Sequence, residues 1–240
     1  MKTSRGFLLA IFIFLIVSAS TVAQTLPPNP DQISIITFVG DINTPSVAQL
    51  IMIVNGQVKL GVKKIRIVLS SGGGDPSAGF SAYSYLHGLQ GVEISTFNVG
   101  NVDSAAILIY CAGQRRFAVP GARFVLHGNS MVLPPNTTAD AATLQGDLEI
   151  LKNLNQTVSQ VIEATVNKEK KNDVEGAVHG QIILTSDDAV KWGLVQEIRT
   201  SFMEPGALLV TINDSKAPPI PEIKPPVQFT SSTPAAFWKP

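Results

Sequence analysis

KIRIVLSSGGGDPSAG, residues 64–79, is the stretch on which the fold turns. Residues 64–69 are rich in β-branched apolar side chains, the composition of a buried strand. SSGGGDP cannot continue that strand, and Pro76 with the small residues after it opens a helix through Tyr85 and Leu86. A strand that passes through glycines into a helix is half of a βαβ unit. Glycines let the backbone adopt unusual dihedrals and approach a ligand closely. Free N–H groups at such a junction suit an anion, either a phosphate or a developing oxyanion. No Gly-Lys-Ser/Thr follows, so this is not a Walker loop, and the glycines are contiguous rather than spaced as in a dinucleotide fingerprint. A plain tight turn fits these residues equally well when they are read alone.

Working outward, the alternation repeats. ISIITFV, residues 33–39, is a strand, and Thr44 then Pro45 read as N-cap and first position of a helix to about Leu60. VEISTFNV, residues 92–99, is a third strand that Gly100 breaks; a small-residue helix follows from about Ser104 to Ala112. Short strands near 115–119 and 122–126 flank the turn at Pro120 and Gly121. This alternation predicts a largely parallel sheet, hence an α/β fold. A long helix is predicted over 138–168, with Leu144, Leu148, Leu151, Leu154, Val158 and Val161 at spacings of three and four. At 1.5 Å per residue it would be roughly 45 Å long, too long for one small core, so part of its stripe is expected to meet another subunit.

The ends read differently. Lys2 and Arg5, the apolar run 7–17 and the small residues SASTVA follow the order of a signal peptide, with cleavage after Ala23 or Ser20. The run is shorter than the ~20 residues of a spanning helix, and an uncleaved membrane anchor is the rival reading. Residues 24–31 form a Pro-containing lead-in. Residues 214–240 carry seven prolines, so they read as an extended or disordered tail, with Phe237 and Trp238 as the only candidate docking anchors. The domain proper is therefore expected over 32–213.

Composition limits the function. Lys plus Arg number 18, as do Asp plus Glu, so there is no positive surplus for bulk nucleic-acid binding. Without Lys2 and Arg5 the basic count is 16 and the chain is mildly acidic. One cysteine excludes an intrachain disulfide and a Cys-rich zinc site. No motif calls for a metal or a cofactor. Cys111 reads as a buried small apolar residue and Trp192 as core, while Arg115 and Arg116 are expected to face solvent. NTT at Asn136, NQT at Asn155 and NDS at Asn213 are sequons that matter only in a eukaryotic secretory pathway.

Three segments can carry chemistry: the glycine loop, GNVDSAAILIYCAG at 100–113, and RFVLHGNS at 123–130. Ser104 sits where a strand becomes a helix, which suits a nucleophile, although on this segment alone Ser104 or Asp103 reads more readily as an N-cap. His127 closes an apolar strand, at the carboxyl end where α/β sites lie, and is the general-base candidate. His87 lies late in a helix and His179 in a polar connector.

Taken in order, these features resemble the proteolytic subunit of the Clp protease, within the group sharing the ClpP/crotonase fold. FVGDINTPSVAQLI, IRIVLSSGGGDPSAGFSAY, GNVDSAAILIYCAG, RRFAVPGARFVLH and LTSDDAVKWGLVQEI carry the resemblance over about residues 33–198. It implies repeated β-β-α units with a long handle helix, 138–168, joining subunits into a homo-oligomer. It also implies a serine-type endopeptidase: Ser104 as nucleophile, His127 as base, and the Gly74 and Ala105 amides as oxyanion hole. The family's third triad residue is an Asp; Gln181 stands at that position. Asp173, Asp187 or Asp188 would supply the carboxylate if the alignment slips, and Asp103 could pair with His127 instead.

Three functions follow. The first is an exported serine peptidase cleaving peptides or unfolded segments without an ATPase unfoldase, for which an exported protein has no ATP supply. The second is an impaired pseudo-peptidase serving as an oligomeric peptide- or partner-binding scaffold, favoured by Gln181. The third is a crotonase-type acyl-CoA enzyme, disfavoured by the Ser and His placement and by export.

Overall fold

The computed structural model describes residues 31–136 and 138–213. The signal-peptide reading, nearly all of the lead-in and the Pro-rich tail lie outside the described residues. Eight strands form one sheet: β1 (Ile33–Val39), β2 (Lys64–Ser71), β3 (Glu93–Asp103), β4 (Arg115–Ala118), β5 (Arg123–Leu126), β6 (Ile182–Thr185), β7 (Glu197–Ile198) and β8 (Leu208–Asn213). The main path runs β6-β5-β3-β2-β1-β8, with β4 and β7 branching from β3. Every pairing is parallel except β5 with β6, as strand–helix alternation predicts.

The helices are α1 (Thr44–Lys59), α2 (Pro76–His87), α3 (Ala106–Cys111), α4 (Ala141–Thr165), α5 (Lys171–Gly180) and α6 (Ser186–Trp192). One sheet face carries Ile36, Phe38, Ile65, Ile67 and Leu69 into the helical layer, where α1 adds Leu50 and Val54 and α2 adds Ala82 and Leu86. The other face presents Ile33, Ile35, Val68, Phe97 and Phe117, covered by the segment around Phe202. Strands buried on both faces need unbroken apolar runs, which is why ISIITFV and KIRIVL do not alternate. All six residues of α3 are buried. At about 1.5–3 kcal/mol for each fully buried Ile or Leu, this short helix is held by its surroundings rather than by helix propensity.

Four local expectations are corrected. The N-cap of α1 is Asn43, not Thr44: Asn43 Oδ1 accepts from Ser46 N at 2.9 Å and Ser46 Oγ accepts from Asn43 N at 3.1 Å, a reciprocal box that leaves Thr44 inside the helix. Gly100 does not end β3. There β3 changes partner, from β4 at Ser95–Asn98 to β5 at Asn101–Asp103. Buried Asn98 bridges the change by accepting from Gly100 N at 3.0 Å and donating to Arg123 O at 2.8 Å. The long helix is shorter than 138–168, because Val166 turns to extended backbone and a 3₁₀ turn at Lys168–Lys170 redirects the chain into α5, which contains His179. Arg116 does not simply face solvent; its guanidinium donates to Leu194 O and Gly113 O at 2.9 Å each, tying β4 to the chain before β7. Cys111 and Trp192 are buried as read.

Candidate active site

Three adjacent strands, β2, β3 and β5, end on the same side of the parallel sheet. Their carboxyl ends deliver the glycine loop, Ser104 and His127. Carboxyl ends of parallel strands are where α/β folds place their sites.

The glycine loop is fixed from both flanks. Ile42 bridges Gly74 in parallel: Ile42 N donates to Gly73 O and Asp75 N donates to Ile42 O, both at 2.8 Å. Those bonds alternate along the loop, so the N–H of Gly74 faces away from Ile42 and has no hydrogen-bond partner among the described residues. Asp75 Oδ1 accepts from Ser77 N at 2.8 Å and caps α2. Gly73 has φ +97° and Gly74 φ +140°. A Cβ on Gly73 would stand 2.6 Å from Ser104 Cβ and 3.1 Å from Ala105 N, so the loop lies directly against both residues. A Cβ on Gly74 would meet Ile42 O at 2.2 Å. The glycines are therefore required by close approach as well as by dihedral.

Ser104 follows β3 with φ +53°, a left-handed conformation that costs a residue with a Cβ about 1–2 kcal/mol. Such strain persists only where the surroundings impose it. Its N–H donates to Val125 O at 2.8 Å, extending the β3–β5 ladder by one step and bringing residue 104 beside the chain that leads to His127. Ser104 is not a helix cap: α3 starts from Ala105, whose side chain makes no cap bond. Ala105 N–H, like that of Gly74, has no partner among the described residues. The half-buried Ser104 is thus followed directly by one free amide, Ala105, and touched by a loop that carries another, Gly74.

His127 Nδ1 lies 2.7 Å from Gly128 O. A carbonyl can only accept, so Nδ1 carries the proton and Nε2 is left as the basic nitrogen, the tautomer a general base needs. No hydrogen bond joins Ser104 and His127 in this structure; catalytic contacts are often open before substrate binds.

The sequence does not foresee the partner of His127. The β5–β6 ladder ends with Leu126 opposite Ile182, so its next step would set His127 opposite Gln181. Gln181 nevertheless makes no hydrogen bond to His127; it is exposed, with φ +57° at the end of α5. None of the alternative carboxylates reaches the imidazole. Asp173 pairs with Lys170 at 2.8 Å, Asp188 with Lys191 at 3.0 Å, and Asp187 lines a shallow recess beside Pro120. Asp103 is buried, and its Oδ2 accepts from Arg123 Nη2 at 2.9 Å and from Asn101 Nδ2 at 3.1 Å. Gly128 O stands in for the missing acceptor. The only sequence hint is that Gly128 follows the histidine, and main-chain acceptors leave no signature in side-chain identities.

This architecture, a mostly parallel sheet of alternating strands and helices with one β-β-α stretch, β4-β5-α4, rather than the repeated β-β-α units the resemblance implies, and a long projecting helix, is of the ClpP/crotonase-like α/β class. It matches ClpP1 (a point mutant) from Listeria monocytogenes with TM-score 0.61, over 70% of this chain and 92% of that one, at 19% identity. The Clp protease family model matches residues 31–202, and the chain belongs to that family. ATP-dependent Clp protease proteolytic subunit 2 of Borreliella burgdorferi is 33% identical over 141 residues, 57% of this chain and 67% of that protein. Proteolytic subunit 1 of Chlamydia pneumoniae is 30% identical over 142 residues, 58% and 72% of the two chains.

Proposed function

We propose that this chain is a serine peptidase acting on peptides or unfolded segments through an acyl-enzyme at Ser104. The observation that carries the proposal is the glycine loop packed against Ser104 through Gly73, with the Gly74 and Ala105 amides, next in sequence to that contact, free of partners among the described residues. His127 Nε2 takes the Ser104 proton as Oγ bonds to the substrate carbonyl carbon. The oxygen gains negative charge and accepts from the two amides. The imidazolium gives its proton to the departing amine as the C–N bond breaks. Water, deprotonated by the same imidazole, then cleaves the ester.

The orienting group of His127 is neutral. A carbonyl fixes the tautomer but carries no charge to stabilise the imidazolium that forms, so turnover here is expected to be slower than with a carboxylate in that place. The test is hydrolysis of an unstructured fluorogenic peptide by the full chain. Turnover lost in Ser104→Ala supports the proposal; equal turnover in both proteins refutes it. That no carboxylate among the described residues is bonded to His127 favours a second reading, a scaffold that binds peptide without turnover. Peptide affinity with no acyl-enzyme would select that reading.

Two further parts belong to the proposal. The apolar residues Leu144, Leu148 and Ile150 on the projecting half of α4 are exposed, and they support a homo-oligomer joined through that helix. The n-region, apolar run and small-residue order of residues 1–23 support export with cleavage. An exported chain should have an intact mass beginning at Gln24 or Thr21; a full-length chain retained inside the cell would refute export.

A further inference from the structure

Asn155, in the middle of α4, enters the sequence analysis only as part of an NQT sequon. Its Oδ1 accepts two hydrogen bonds from one residue, Asn129 N at 2.7 Å and Asn129 Nδ2 at 2.9 Å. Two donors converging on a single atom fix that atom as the amide oxygen. A Cβ added to Gly128 would lie 3.5 Å from Asn155 Nδ2 and 3.3 Å from Val178 O. The segment 127–129 is therefore packed between α4 and α5, and a side chain at its centre would force Val178 O to give by a few tenths of an ångström. The Gly128 carbonyl in this segment is the acceptor of the His127 Nδ1 proton. A main-chain carbonyl cannot reorient by rotating a side chain; it points where its segment is held.

We infer that Asn155 is a positioning residue for His127. By holding Asn129 it sets the Gly128 carbonyl, and through it the tautomer and orientation of the imidazole. Its influence on the reaction rests on the peptidase reading, but its influence on the imidazole does not. The same contact carries a consequence for α4: a shift of this helix along its axis would move the acceptor of the base.

The test compares Asn155→Ala, which deletes the acceptor, with Asn155→Asp, which restores an oxygen in the same place. In ¹⁵N-histidine spectra of the full chain, His127 should show an exchange-protected Nδ1 proton in the parent and in Asn155→Asp, and lose it in Asn155→Ala. The maximal rate of Ser104 phosphonylation should fall about tenfold or more in Asn155→Ala with little change in the concentration for half-maximal rate, since small misplacements of a reacting group cost on that scale. Asn155→Asp should recover most of it. If Asn155→Ala fails to fold, Gly128→Ala keeps both Asn155 bonds while crowding the segment, and should show the same loss in weaker form. A protected Nδ1 proton that survives Asn155→Ala, or, where that variant does not fold, parental protection and labelling in Gly128→Ala, overturns the inference. So does an Asn155→Asp protein as impaired as Asn155→Ala. A parent that never labels at Ser104 but shows the spectroscopic pattern would refute the peptidase reading and leave the positioning role standing.

Discussion

Gly73 leaves no room beside Ser104. A methyl there would meet Ser104 Cβ at 2.6 Å and Asp103 O at 2.8 Å, on a backbone at φ +97°. Gly73→Ala should cost about 2–3 kcal/mol of stability by overpacking, and cut Ser104 phosphonylation about 100-fold by displacing the hydroxyl. Thermal melts and labelling rates check the two effects, and a Gly73→Ala protein with parental rates would mean the loop does not shape the site. Cys111 gives a pH prediction. Burial pushes its thiol from 9.0 up to about 11, against smaller opposing effects of Thr165 and Arg116. The unfolded thiol deprotonates first, so the stability associated with keeping it neutral is intact below pH 9 and is lost as pH rises towards 11. Denaturant midpoints should decline less over that interval in Cys111→Ala, relative to its own value at pH 8. The residue scale is also where the sequence is least legible. Ser104, His127 and Gly74 stand out as residue types at element ends, whereas Gly73, the Gly128 carbonyl and Asn155 matter through contacts between distant segments.

At the scale of elements, α4 has two halves with different environments. Val158, Val161 and Ile162 pack into the core, while Leu144 and Leu148 on the same stripe remain exposed. The three-and-four spacing in the sequence shows the stripe but not the point at which the core stops. Leu148→Asp should leave the fold intact and shift sedimentation towards the monomer, because the side chain is 46% exposed in the single chain. An unchanged oligomer would remove α4 from the interface. The strands were readable because burial on both faces demands unbroken apolar runs. Their partners were not: the passage of β3 from β4 to β5 depends on Asn98, whose polar side chain within a strand gives no such cue. β8 was missed as well. Six residues of LLVTIN join the edge of β1 in parallel, beyond the end of the family match at residue 202.

Over the whole molecule, the order β5-β3-β2 is what makes a site possible, since it sets the ends of three strands side by side. The aromatic Phe202 lies 5.8 Å from Phe97 on the far face, and Arg66 donates to Phe202 O and pairs with Glu204, both at 2.6 Å. The chain thereby closes the face opposite the helices, while the glycine loop, Ser104 and His127 follow the carboxyl ends of the three strands. Membership of the Clp protease family accounts for this frame; the activity rests on Ser104 being nucleophilic with a main-chain oxygen, that of Gly128, as the described partner of His127. The most direct measurement is intact mass after treating the folded full chain with a fluorophosphonate. One adduct on the parent and none on Ser104→Ala is the predicted result. An unmodified parent, in a preparation shown to be folded, would contradict it.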